Sequence, residues 1–96
     1  MVDLSDLIKS FRARVKVCLA ILDMTVGEVC DASGDEGMKA YKFHRVLNSE
    51  NPLLRDYNKI AKMLGVPLEL LIFDDKPLDL LSAYLEGVEV ENEFSE

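Results

Sequence analysis

The chain has 96 residues, 49% apolar and 30% charged, the balance of one small globular domain and not of a disordered segment. Eighteen acidic side chains against eleven basic ones leave a formal charge of −7, which taken alone argues against a polyanionic partner. The longest unbroken apolar runs, "VCLAIL" (17–22) and "LLIF" (70–73), fall far short of the ~20 residues of a membrane span. With no basic leader in "MVDLSDLIKS", the expected location is the cytoplasm, with no membrane partner.

The first predicted helix is marked by Leu4, Leu7, Ile8, Phe11, Val15, Cys18 and Leu22, one stripe of 3.6-residue period with Asp3 as its expected N-cap. Lys9, Arg12, Arg14 and Lys16 lie mainly off that stripe. Thr25 and Glu28 form a capping box for a second helix, with Met24 and Val29 placed to staple its entry. This helix should end near Ala32, with Gly34 just beyond it.

"MKAYKFHRVLN" (38–48) predicts the third helix. Met38, Phe43, Val46 and Leu47 form its inner face, Lys39, Ala40, Lys42, His44 and Arg45 its outer face, and Tyr41 the border. Asn51 then reads as an N-cap and Pro52 as the first residue of a fourth helix, whose stripe runs through Leu53, Tyr57, Ile60, Ala61 and Leu64 to a closing Gly65. A short fifth helix is expected in "PLELLIF"; "DDKP" breaks it, and "PLDLLSAYLEG" predicts a sixth that stops at Gly87. In "VEVENEF", Val88, Val90 and Phe94 alternate with glutamates, a period-2 pattern expected to form a short dimerising strand or else a solvated acidic end.

Catalytic groupings are missing from the sequence. Cys18 and Cys30 occupy apolar helical positions without metal-ligand spacing and read as buried thiols. His44 has no second histidine and belongs to no Ser/His/Asp set, so no enzyme activity, cofactor or metal is expected.

From about residue 4 to residue 72 the chain resembles the lambda-repressor-like, Cro/CI-type helix-turn-helix domain, the xenobiotic-response-element family. "MTVGEVCDASG", "MKAYKFHRVLN" and the ordered set "NPLLRDYNKIAKMLGVPLELL" carry the resemblance. It implies an all-α fold of five packed helices over residues 1–73, with residues 74–96 as a C-terminal extension of one helix and an acidic tail. Val29, Phe43 and Val46 match buried positions of the motif. Cys30 takes the place of its small alanine, at a crowded contact between the two motif helices, and Gly34 matches its turn glycine. The third helix would enter the major groove, so the implied partner is double-stranded DNA read by a homodimeric repressor of phage or mobile-element type. Lys39, Ala40, Tyr41, Lys42, His44 and Arg45 would face the groove. Lys39 and Arg45 are candidates for guanine edges, and Lys42 and Arg55 for phosphates.

Counting charges along the chain removes the conflict with an acidic total. Residues 69–96 carry −8 and residues 1–68 carry +1, of which residues 37–68 alone carry +4. Several departures from the family pattern keep a second reading open. Three extra residues, Asp35 to Gly37, follow the turn glycine, Val26 stands at a customary phosphate-contact position, and Glu50 precedes the fourth helix. They fit a protein-interaction module on the same fold whose acidic surface meets a basic protein partner.

Overall fold

The computed structural model describes residues 4–73 and 78–86. Among these residues six α-helices follow one another: α1 (Leu4–Leu22), α2 (Val26–Ser33), α3 (Ala40–Asn48), α4 (Leu54–Leu64), α5 (Glu69–Ile72) and α6 (Leu78–Leu85). A single 3-10 turn, Gly34–Glu36, separates α2 from α3, and no strand occurs among the described residues. The expected N-cap Asp3, the break at 74–77, the stop at Gly87 and the period-2 segment 88–94 lie outside them. No described helix is long and apolar enough to cross a membrane.

The long helix α1 is the spine, packing against α3, α5 and α6, while α2 packs on α3 and α4. Phe11, Val15 and Cys18 of α1 are wholly buried, together with Phe43, Ile60, Leu71 and Leu81 from α3, α4, α5 and α6. One apolar cluster therefore draws on all six helices, Val29 and Cys30 supplying the contribution of α2. Phe11 stacks face to face on Tyr57, with ring centroids 3.6 Å apart and planes within 6°. The capping box on α2 forms in both directions: Glu28 N–H donates to Thr25 Oγ1 at 3.1 Å, and Thr25 N–H donates to Glu28 Oε1 at 2.8 Å. Gly65, with φ of 82°, closes α4 as expected.

Of the basic residues of α1, Lys9 and Lys16 are exposed, whereas Arg12 and Arg14 are drawn toward the neighbouring helices. Arg14 is only 6% exposed and donates from Nη1 to the Leu70 carbonyl at 3.0 Å. Beside it the Ser10 hydroxyl donates to the Leu71 carbonyl at 3.5 Å. Half-buried Arg12 donates from Nε to the Leu47 carbonyl in the last turn of α3. The last carbonyls of a helix have no partner within it, and they form the negative end of its dipole, so a guanidinium is well matched to them. The off-stripe side of α1 is solvent-facing only if one neighbour covers the helix; here three neighbours surround it.

Two helix starts also move. Lys39 is extended and caps α3, so Met38 is a buried loop residue and not the first turn. In the loop before the next start, the Ser49 hydroxyl accepts the Asn51 N–H at 3.0 Å. Leu53 becomes the N-cap residue of α4, its carbonyl accepting from the Asp56 and Tyr57 N–H groups. Outside the helical register, Leu53 leaves the inner stripe and is 51% exposed.

Replacing Arg14 by methionine keeps most of the packed volume and removes the bond to Leu70. Urea unfolding at pH 7 should then show a loss of about 1–3 kcal/mol, the scale of a hydrogen bond from a charged donor. The buried Tyr57 hydroxyl has no hydrogen-bond partner, so Tyr57→Phe should leave stability unchanged or raise it by up to about 1 kcal/mol. Burial raises the Tyr57 pKa above 10.0, the Arg12 charge opposing it in part. The unfolded chain therefore loses the tyrosine proton first. The stability from this group is full below pH 10 and falls as pH rises further, so the advantage of Tyr57→Phe should widen there. The Cys18 thiol, pushed by burial from 9.0 to about 11 against the Arg14 charge, lowers both proteins alike and cancels from the comparison.

Candidate nucleic-acid interface

The position of α3 is set by the three residues that lengthen the turn before it. Gly34 has φ of 59° and ψ of −137°, a region that side chains with a Cβ rarely enter. The turn then tightens into one 3-10 loop closed by Gly37 N–H donating to the Gly34 carbonyl at 3.1 Å. Gly37 sits against the end of α2 and the side of α4: a Cβ there would lie 2.5 Å from Ser33 Cβ and 3.2 Å from Met63 Cε. The extra residues are thus folded against the domain, and Met38 and Lys39 lead directly into α3.

Phe43, Val46 and Leu47 anchor the inner face of α3. Lys39, Tyr41, His44 and Arg45 are exposed, and Lys42 is half-buried. Ala40, expected outside, is half-buried and packs on the core. Tyr41, expected at the border, is 66% exposed, and the Arg45 guanidinium lies 5.8 Å from its ring centroid. The cation and the ring thus hold each other on the outer surface of the helix.

Two clefts flank this surface. Lys39 and Ala40 line one of about 500 Å³ between α2 and the start of α3, together with Cys30, Asp31 and Asp35. Those two carboxylates offset Lys39, so this end is poorly suited to an anion. Burial first, then the Asp31 charge, raises the Cys30 thiol pKa, which keeps it protonated and a weak nucleophile. Cys30 is buried yet borders this cleft.

The other cleft, about 200 Å³, runs between α3 and the start of α4 and is lined by Lys42, Arg45, Val46, Pro52, Leu53 and Asp56 among others. It brings Lys42 and Arg45 together. Arg55 is exposed on the second residue of α4 but does not line this groove, and His44 lines neither cleft. Sequence reasoning missed the apolar character beside the groove: Leu53 and Leu54 are 51% and 67% exposed. The adjacent leucines of "NPLLRDY" are its sequence signal, since one helical face cannot bury both neighbours.

Gly37→Ala should lower stability by about 1–3 kcal/mol in denaturant unfolding, because Ser33 Cβ is fixed to its backbone and cannot step aside. Gly27→Ala, within α2 and with only Thr25 Oγ1 at 3.9 Å, should change stability in the opposite direction, by up to about 1 kcal/mol. Equal effects from the two would mean that the turn is not packed as described.

Comparison with protein-family models, with curated proteins and with solved structures found no match to this chain, which leaves the chemistry of this surface to be argued from its own residues.

Proposed function

We propose that this protein is a sequence-specific double-stranded DNA-binding regulator of the Cro/CI helix-turn-helix kind, acting as a homodimeric repressor. In this reading α2 and α3 are the motif, and α3 lies in the major groove. The supporting observation is the outer face of α3, where Tyr41, Lys42, His44 and Arg45 stand on a helix anchored by three buried side chains. Arg45, aligned by its contact with Tyr41, is suited to a guanine edge, and Lys42 and Arg55 are suited to phosphates. Residues 37–68, which include α3 and the start of α4, carry +4, so the acidic excess of the chain lies outside that stretch of sequence.

A protein-interaction module is the second reading. Asp31 and Asp35 beside the start of α3 favour it, as do the exposed Leu53 and Leu54 next to the cationic groove. Binding to random-sequence duplex DNA across a salt series separates the two readings. A DNA-binding regulator loses affinity steeply with salt, and an interaction module shows no binding at any salt concentration.

Arg45→Ala should cost about 1–3 kcal/mol at one position of a selected operator and relax discrimination there. Lys42→Ala should weaken all duplexes by a similar factor and flatten the salt dependence by about one unit of slope. Neither should lower thermal stability greatly, Arg45 being exposed and Lys42 half-buried. A double variant that binds selected DNA like the parent would remove α3 from the interface.

A further inference from the structure

We infer that Tyr41 and Arg45 form one composite reader, whose target is a guanine next to a pyrimidine that carries a 5-methyl group in the major groove. That pyrimidine is thymine in ordinary DNA and 5-methylcytosine where cytosine is modified. The inference rests on the reading of α3 as the helix that enters the major groove, and it adds the kind of base step that this helix selects.

The side of α3 that faces away from the core is a single stripe. Tyr41, His44, Arg45 and Asn48 stand at i, i+3, i+4 and i+7 and are all exposed, opposite the buried Phe43, Val46 and Leu47. No carboxylate belongs to α3. Arg45 is the one cation on the stripe, since Lys39 precedes the helix and Lys42 is half-buried at the groove beside α4. A surface that only holds phosphates gains with every added cation. This stripe instead sets a single guanidinium beside an aromatic ring that is 66% exposed. Base pairs present donors and acceptors in the major groove, and the pyrimidine 5-methyl is the apolar group among them. Burial of that methyl is what an exposed ring can gain there.

The contact between the two side chains sets their relative place on the duplex. An arginine bonded to guanine O6 and N7 lies near the plane of that base, so its faces look along the stack toward the neighbouring pairs. Successive pairs are about 3.4 Å apart. The Tyr41 ring centroid is 5.8 Å from the guanidinium carbon, with the ring edge extending on either side of it, so the ring lies against the edge of a pair next to the guanine. A 5-methyl there packs on the ring, and the two together shield one side of the guanidinium from water, where its bonds to guanine are stronger. An unmethylated cytosine places its amino donor beside the ring with no apolar group to cover it. The ring makes this contact, and the tyrosine hydroxyl has no part in it.

The test starts from duplexes that the full-length protein enriches from a random-sequence pool, and from the guanine at which Arg45→Ala relaxes discrimination. Replacing the neighbouring thymine by deoxyuridine removes only the methyl group. Affinity of the parent should fall roughly fourfold, the scale of one methyl group returned to water. Tyr41→Phe should lose affinity by the same factor, whereas Tyr41→Ala, weaker from the start, should bind the two duplexes equally. With 5-methylcytosine at that position the parent should bind roughly fourfold tighter than with cytosine, and Tyr41→Ala should again show no preference. Thermal unfolding of both variants should match the parent, the site being exposed. Equal affinity of the parent for thymine and deoxyuridine at the pairs next to that guanine overturns the inference and leaves the DNA-binding reading standing. A methyl preference that survives in Tyr41→Ala, or an Arg45→Ala protein with unchanged discrimination, overturns it as well. A pool that yields no enriched duplex removes the reading and the inference together.

Discussion

The fold depends on the way α1 closes the ends of its neighbours. Helix α5 is a single turn, Glu69–Ile72, too short to satisfy its own carbonyls or to persist alone. It is held because Ser10 and Arg14 donate to the Leu71 and Leu70 carbonyls while Leu70 and Leu71 enter the core. Arg12 does the same for the last turn of α3. Apolar burial brings these helices to α1, and the guanidinium bonds specify the angle and register at which they stay. A buried guanidinium is costly unless its donors are used, so the arrangement is also a constraint: α5 cannot slide without stranding Arg14.

The same use of cations shapes the charge of the surface. Two of the four basic residues of α1, Arg14 and Arg12, are turned inward or toward α3, while Lys9 and Lys16 stay exposed; α3 and α4 add the exposed Lys39, Arg45, Arg55, Lys59 and Lys62. A chain of net charge −7 thus presents a local cationic face, and the sign of the total is uninformative about that face. The face is divided by its surroundings. Its first end, at Lys39, is offset by Asp31 and Asp35, whereas its second half, at Lys42 and Arg45, opens onto exposed leucines.

The lengthened turn before α3 follows from local sterics. Gly34 supplies a backbone conformation that reverses the chain within one residue, and Gly37 supplies the missing side chain that lets the loop lie on Ser33 and Met63. Extra length is thereby absorbed in a compact 3-10 loop, with Met38 buried as its plug.

What the sequence determined by itself were the features with local causes. The stripe of α1 from Ile8 to Cys18 (Leu4, expected on it, is 54% exposed), the Thr25–Glu28 capping box, the Gly34 and Gly65 closures and the anchoring of α3 by Phe43, Val46 and Leu47 follow from 3.6-residue periodicity and from the chemistry of helix ends, which act within a few residues. The outward cations Lys39 and Arg45 were legible for the same reason. Tertiary structure alone decided the fate of Arg14 and Arg12, since the carbonyls they meet are 56 and 35 residues away in sequence. It also decided the exposure of Leu53, which caps the start of α4 in extended conformation instead of lying on the inner stripe. Periodicity assigns each residue a face of its own helix; which neighbours cover that face is settled by how separate helices pack, and no local pattern carries that information.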